Sequence, residues 1–513
     1  MTSDTTTTAP RKLRYAIIGA GMAGILAGVR LRARGEDDFV IYEKGASVGG
    51  TWRENRYPGL TCDVPAHAYT YSFAPNPDWS AFYAGGPEIH DYFQRIVADH
   101  GLEDAIRFNS EVVACEYQDD TERWQITTAT GETSVVDVVI AASGVLHHPN
   151  IPNLPGAETF AGEIFHSARW PDDLALDGRR MGVVGNGSTG VQIVTALSTR
   201  CERVVHFQRS PQWIMPVPFF TYSDDERQAF RDDPELIEAI RNGEDYWAGI
   251  RRFNTALVDT ESPEMAEIEA IVLRNLEESV RDPVLREKLR PNYRAACKRL
   301  IYSWSYYDAV QRPTVDVETS GIAEVQPGGV LAGDGTFHPL DVLVLATGFQ
   351  ADRFIRPTRV TGRGGVNLDE VWARRPKAYL AISIPDLPNF FMLNGPTGPV
   401  GNFSLIDIAE RQWDYIEQLL DRLRDDASAI SVDEQAMDAY ETRRIAAAKT
   451  TIFGSGCTSW YLDAEGVPAS WPWSYQAFAD AMQTPDFTQY DVRKREERAV
   501  ANCDGADTRR LDA

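Results

Sequence analysis

Leu13-Arg14-Tyr15-Ala16-Ile17-Ile18-Gly19-Ala20-Gly21-Met22-Ala23-Gly24 is the stretch on which the fold turns. Its apolar first half has strand length and runs directly into G-x-G-x-x-G. Beyond the glycines, Ile25, Leu26, Val29 and Leu31 recur at helical spacing. Gly19 permits a tight turn, Gly21 lets a pyrophosphate approach the helix N-terminus, and Gly24 lets the helix lie close to the strand. A second strand, Asp38–Tyr42, ends in Glu43, nineteen residues beyond Gly24. A carboxylate at that point accepts hydrogen bonds from ribose hydroxyls and repels a 2′-phosphate.

The pattern recurs. Met181–Gly185 (MGVVG) is another short apolar strand, followed by Asn186-Gly187-Ser188-Thr189-Gly190 and a helical run through Val191, Ile193 and Leu197. The next strand, Arg203–Phe207, leads to Gln208-Arg209-Ser210 where the first unit has its acid. An arginine and a hydroxyl there suit a 2′-phosphate. The two units therefore predict FAD in the first and NADPH in the second, and hydride transfer from nicotinamide to flavin. Val135–Gly144 (VVDVVIAASG) and Leu340–Gly348 (LDVLVLATG) share one form, an Asp, an apolar strand, then Ala-Ser/Thr-Gly. Each reads as a strand that returns to a nucleotide-binding sheet and marks a crossing between domains.

The rest of the chain sets limits. Its 513 residues suit about three domains. A net charge of −24 argues against nucleic acid and against an anionic membrane surface. No apolar run has the length of a bilayer span, and the opening MTSDTTTTAP lacks the apolar core of a secretory signal, so a cytoplasmic enzyme is expected. Cys62, Cys115, Cys201, Cys297, Cys457 and Cys503 include no C-x-x-C, so neither a zinc site nor a disulfide framework is expected. No two of them lie closer than 46 residues, unlike the redox pair of a disulfide reductase. Oxygen is then the expected acceptor of the flavin's electrons.

The fold class predicted is α/β, with two Rossmann-like dinucleotide-binding domains and a helical insertion. The expected domains are 13–145 with 373–491 for FAD, 146–215 with 297–372 for NADPH, and 216–296 as an insertion on the NADPH domain. Residues 1–12 are expected to be a disordered leader and 492–513 a flexible tail. Ser404 reads as the N-cap of a long amphipathic helix reaching about Arg424.

Between the fingerprints stands Phe160-Ala161-Gly162-Glu163-Ile164-Phe165-His166-Ser167-Ala168-Arg169-Trp170-Pro171. It fits F-x-G-x-x-x-H-x-x-x-W-[P/D], the signature of the type I Baeyer–Villiger monooxygenases, which the chain resembles over about residues 13–475. A second signature of that family is met by Gly49, Gly50, Trp52, Tyr57, Pro58, Gly59 and Asp63. Further matches are Tyr57–Phe73, Cys297–Pro313 and Leu345–Phe349. The related flavin monooxygenases that oxidise nitrogen and sulfur, the alternative reading, usually carry Phe or Tyr where Trp170 stands. A flavin-binding interaction protein without turnover is the reading outside enzymes.

The resemblance implies NADPH- and O2-dependent oxidation of a ketone to an ester or lactone through a flavin C4a-peroxide. It makes Arg299 the cation beside that peroxide and Asp63 its orienting carboxylate. It assigns FAD contacts to Gly50, Thr51, Trp52 and Asp63, and places Lys298 with Arg209 and Ser210 around the 2′-phosphate. It gives Phe160, Gly162, His166 and Trp170 a linker role, with His166 a hydrogen-bonding hinge and no general base. Trp460 matches a tryptophan on a loop that closes over NADP, but Asp463-Ala464-Glu465 departs from the family's pattern downstream. The pocket is expected to draw on the insertion, on Tyr57–Phe73 and on Phe453–Trp473, whose aromatics Trp460, Tyr461, Trp471 and Trp473 suggest an apolar substrate.

Overall fold

The computed structural model describes residues 11–399 and 403–495. Tyr15–Ile18 forms β1, Met22–Ala33 α1 and Phe39–Tyr42 β2, followed by β3 (Ile106–Arg107) and β4 (Val138–Ala141). Both β1 and β4 are buried at every residue, as near-continuous apolar strands must be when both faces of a parallel sheet are covered. The second unit holds β5 (Glu163–His166), β6 (Arg180–Val184), α2 (Ser188–Leu197), β7 (Arg203–Phe207), β8 (Val315–Glu318) and β9 (Val342–Leu345). The chain then returns to the first unit as β10 (Phe390–Met392) and α3 (Leu405–Asp425).

Two five-stranded parallel sheets result, ordered β10-β4-β1-β2-β3 and β8-β7-β6-β9-β5. In each, the strand that carries the glycine turn lies at the point where the strand order reverses direction, the place where open α/β sheets take ligands. The returning strands are anchored alike. Asp137, just before β4, accepts the Arg14 N–H at 2.8 Å, and Asp341, just before β9, accepts the Arg180 N–H at 2.9 Å. The Ala-Ser/Thr-Gly segments then cap the glycine turns, because a Cβ on Gly19 would fall 2.7 Å from the Ala142 carbonyl oxygen. One on Gly185 would fall 2.3 Å from that of Ala346.

Four expectations need correction. Arg359–Thr361, assigned to the NADPH domain, pairs in parallel with Val112–Gln118, and Val360 and Trp372 pack with Trp124 and Phe390 beneath the first sheet. The chain therefore re-enters the first domain soon after Gly348. The insertion, with helices Asp224–Asp232, Glu235–Arg241, Glu244–Val258, Pro263–Ser279 and Pro283–Lys288, does not rest on the second domain alone. Phe230, Ile237 and Ile250 join the core of the first domain, while Leu276 joins that of the second. Ser404 precedes α3 but makes no capping bond, and its buried hydroxyl has no partner among the described residues.

The ends are the fourth correction. Residues 1–10 and 496–513 lie outside the described residues, but Arg11 donates its N–H to the Arg424 carbonyl at 3.0 Å. Tyr490–Lys494 is a strand antiparallel to Ala427–Val432, so residues 492–494 are strand where a tail was expected.

The interior carries a pH dependence. Burial lowers the pKa of His67 and of His206 to about 4, and both side chains are almost fully covered. The unfolded chain binds these protons near pH 6.5, so stability is full above that value and falls as pH drops toward 4. Each group costs up to about 3 kcal/mol by the lower end of that window. The melting temperature is expected to be level above pH 7 and to fall steadily from pH 6.5 to 4. A flat profile across that range would show that these histidines charge without penalty.

Candidate active site

A single cavity of about 1730 Å³ runs from the first glycine turn to the second, lined by residues of both. At one end Gly19 (φ +104°) and the Gly21 N-cap open the N-terminus of α1 toward it. The Gly49-Gly50 turn crosses so close that a Cβ on Gly50 would fall 3.1 Å from the Gly21 Cα. Thr51 and Trp52 line the cavity just beyond it. Gly24 faces inward, where a Cβ would meet the Gly19 carbonyl oxygen at 1.8 Å, so its role is contact between helix and strand.

Glu43 is more occupied than the sequence suggests. Its Oε2 accepts the Ala20 N–H at 2.9 Å, and its Oε1 accepts the Gly45 N–H at 2.7 Å and Arg53 Nη1 at 2.9 Å. Oε2 still has acceptor capacity for a ribose hydroxyl. Arg53 has no place in the glycine fingerprint, and sequence reading missed it. Half-buried Asn394, whose covered Oδ1 has no partner among the described residues, also lines the cavity. Glycine cradle, helix N-terminus, acid and unpaired amide together fit an adenine dinucleotide of the FAD type.

The second end repeats the geometry with opposite charge. Gly185 (φ +108°), Gly187, Ser188 and Thr189 line the cavity, and a Cβ on Gly190 would stand 1.9 Å from the Gly185 carbonyl oxygen. Lys298 Nζ donates to Ser210 Oγ at 3.1 Å. Burial and then the Arg209 cation hold the Lys298 pKa below its ordinary value, the mark of a cationic site that an anion would relieve. Asn186 Nδ2 bridges Gln208 Oε1 at 2.8 Å and the Ser210 carbonyl at 2.7 Å, and Gln208 Nε2 has no partner among the described residues. These donors fit the 2′-phosphate of NADPH.

Between the two ends stands Arg299. Its Nη2 donates to Asp63 Oδ2 at 2.6 Å, and its side chain is 26% exposed, lining the cavity. Burial alone would lower its pKa, but the Asp63 carboxylate and then the Tyr461 hydroxyl raise it above the ordinary arginine value. The cation is held charged. Neighbouring Tyr302 has its phenol pushed up to about 12 by burial, so it is neutral.

The loop bearing Asp63 is docked across the domain boundary. Tyr57 Oη donates to Gln192 Oε1 at 2.9 Å, and Gln192 Nε2 donates to the Thr61 carbonyl at 3.0 Å. Gly59 allows this, since a Cβ there would fall 2.8 Å from the Gln192 carbonyl. The arginine side is held by Ile301, which donates its N–H to the Trp213 carbonyl at 3.2 Å.

Other expected residues fall elsewhere. Phe160, Gly162, His166 and Trp170 do not line the cavity. His166 ends β5 at the edge of the second sheet, donating from Nε2 to the Gly348 carbonyl at 2.9 Å and accepting the Ala168 N–H on Nδ1 at 3.1 Å. With both nitrogens engaged and its pKa lowered by burial, it has no free lone pair to act as a base. Trp460 lines the cavity and is 50% exposed, so it is not a core residue. Trp471 and Trp473 pack with the first domain's core, contrary to the pocket expectation.

The absence of short cysteine spacing also misled. Cys297 and Cys457, separated by 160 residues, form a disulfide with their Cα atoms 6.2 Å apart. No sequence signal announces that contact, nor the approach of Tyr461 to Arg299.

Residues 12–221 match the family model described as flavin-binding monooxygenase-like. A Baeyer–Villiger monooxygenase of Streptomyces coelicolor is 38% identical over 484 residues, covering 94% of this chain and 92% of that protein. Cyclohexanone monooxygenase from Rhodococcus sp. Phi1, solved bound to NADP+, superposes with a TM-score of 0.83 at 28% identity, covering 95% of this chain and 100% of that one. A structure described as OTEMO in complex with FAD and NADP gives 0.84 at 25% identity, covering 94% and 100%. Among the described residues no helix is long and apolar enough to cross a membrane. By its identity to these proteins over nearly its whole length, the chain belongs to the flavin-binding monooxygenase-like family and, within it, to the Baeyer–Villiger monooxygenases.

Proposed function

We propose that this protein uses NADPH and O2 to convert a ketone to an ester or lactone, with Arg299 as the cation that stabilises the charge formed in the reaction. The observation that carries this reading is Arg299 itself, paired with Asp63 at 2.6 Å inside a cavity shared by both dinucleotide ends. When bound, FAD takes the electrons of NADPH and supplies the activated oxygen.

The chain's own residues do the rest. Arg299 offers fixed N–H donors to negative charge developing on the carbonyl oxygen as the carbon becomes tetrahedral, and it does so without reorganisation. Arginine suits this place because it keeps its proton where a buried lysine would lose one. Asp63 fixes the plane of the guanidinium and holds its charge. Lys298, Ser210 and Arg209 take the 2′-phosphate, while Glu43 takes the ribose of FAD. Met215, Ile250, Phe253 and Phe403 line the cavity and favour an apolar ketone over water.

The test is turnover of the FAD-loaded protein with NADPH, air and a panel of cyclic, linear and aryl ketones, with amines and sulfides alongside. Mass spectrometry is expected to find esters or lactones that carry one added oxygen atom. N-oxides and sulfoxides alone, across the whole panel, would overturn the reading.

A further inference from the structure

Three of the four other cysteines, Cys62, Cys115 and Cys201, are buried free thiols whose pKa values burial raises, Cys201 up to about 11. Such thiols are poor nucleophiles. Cys297 and Cys457 differ in state and in place. Cys297 directly precedes Lys298 and Arg299, while Cys457 directly precedes Thr458-Ser459-Trp460-Tyr461, all of which line the cavity. Their bond therefore ties the cationic segment to the loop that leads to Trp460.

Tyr461 holds the far end of that loop on its own, buried in one cluster with Cys297 and Leu300 and with its hydroxyl on Arg299, but the residues before it have little else. Gly454 to Gly456, Thr458 and Trp460 are exposed, and the backbone opens at Gly456 with φ +103° and nothing within 4 Å of a Cβ. Among the described residues the hydrogen bonds of Gly456–Trp460 stay within the loop, where Ser459 accepts from Tyr461 and Leu462. Ser455 Oγ reaches Cys297 Sγ at 3.1 Å, at the same point as the disulfide. Cys297 is 1% exposed and Cys457 half-buried, so Cys457 is the sulfur that a reagent can reach.

We infer that Cys297–Cys457 is a reversible redox-modification site, opened by a low-molecular-weight thiol and closed by hydrogen peroxide, which locks the Gly456–Trp460 loop against the Lys298–Arg299 segment. In opening, a thiolate attacks Cys457 Sγ, the S–S bond breaks, and Cys297 leaves as a thiolate that takes a proton. A second thiol attacks the reagent's sulfur in the mixed disulfide and releases Cys457. Two thiols are thereby oxidised to one disulfide, and the protein gains two electrons and two protons. In closing, the Cys457 thiolate attacks peroxide to give a sulfenic acid and hydroxide, which takes a proton to become water. Cys297 sulfur then displaces the hydroxyl as a second water.

An NADPH-dependent oxygenase that turns over without substrate makes this oxidant, from NADPH, O2 and a proton. That source and the kinetic consequence rest on the proposed oxygenase function; the thiol chemistry does not. A released loop that is closed about a tenth of the time would weaken NADPH binding about tenfold.

The test compares two samples of the FAD-loaded wild-type protein, one equilibrated with glutathione disulfide and one with excess reduced glutathione. Free thiols are alkylated with iodoacetamide and mapped by peptide mass spectrometry, limited chymotrypsin digestion reads the loop, and the KM for NADPH reads the site. Cys297 and Cys457 are expected to be protected in the first sample and alkylated in the second. The second sample is also expected to show faster cleavage after Trp460 and a KM about tenfold higher. Hydrogen peroxide, once excess thiol is removed, should restore the first state, and Cys457→Ser should behave as the reduced sample in either buffer.

Three results would overturn the inference: alkylation of both cysteines in the oxidised sample, a disulfide that reduced glutathione cannot open, or opening that leaves cleavage unchanged. If Cys457→Ser fails to fold, the two wild-type samples still decide. A protein that opens and closes the bond with the expected change in cleavage, yet never oxidises NADPH, would sink the oxygenase reading and leave the redox site standing.

Discussion

Replacing Arg299 with alanine is expected to lower oxygenated product by about 100- to 1,000-fold, the loss typical of removing one preorganised donor from a developing oxyanion. FAD content and anaerobic reduction of the flavin by NADPH should stay close to wild type, because Arg299 belongs to neither glycine cradle. The pair geometry sharpens the expectation. Asp63 accepts from Arg299 Nη2 at 2.6 Å, so the alanine variant loses a cation and leaves a carboxylate beside the cavity. That carboxylate repels the charge the reaction creates. Arg299→Lys should recover little, since an ammonium cannot present the guanidinium's fixed fork and loses its proton more readily when buried. Asp63→Asn keeps the shape but removes the charge that raises the Arg299 pKa, so its loss should be intermediate. The measurement is product formed per NADPH consumed, beside stopped-flow reduction. Wild-type yield from the alanine variant would move the essential cation elsewhere.

How much of this was legible depends on whether the cause is local. The two fingerprints were readable because turn, strand and helix occur within a few residues, and the last glycine of each answers to the first. Gly24 meets Gly19, and Gly190 meets Gly185. Strand Arg203–Phe207 was readable to the residue for the same reason. What failed was non-local. Nothing near Arg359 announces that its strand pairs with Val112–Gln118, more than 200 residues earlier. Arg53 next to Glu43, Gln192 beneath Gly59 and Tyr461 beside Arg299 are contacts made only when separate segments meet. Cysteine spacing misled in the same way, because the fold sets a distance that sequence separation does not.

The two dinucleotide ends can be separated by a matched pair of substitutions at the first glycine of each turn. Gly19→Val and Gly185→Val both place a β-branched residue where φ is +104° and +108°, a region such side chains avoid. Each new Cβ also strikes a carbonyl just past the returning strand, Ala142 at 2.7 Å or Ala346 at 2.3 Å. The turn cannot relax without moving its helix N-terminus, and displacement by about 1 Å costs on the order of 100-fold in a positioned interaction. The consequences should differ by domain. Gly19→Val is expected to purify without flavin, its absorbance near ~450 nm lost because FAD is the chromophore. Gly185→Val should stay yellow, with FAD in place, yet reduce about 100-fold more slowly at low NADPH. Dithionite, which needs no nucleotide site, should still bleach it fully. If Gly185→Val lost FAD and Gly19→Val kept it, the assignment of FAD to the Glu43 end and NADPH to the Lys298 end would be reversed.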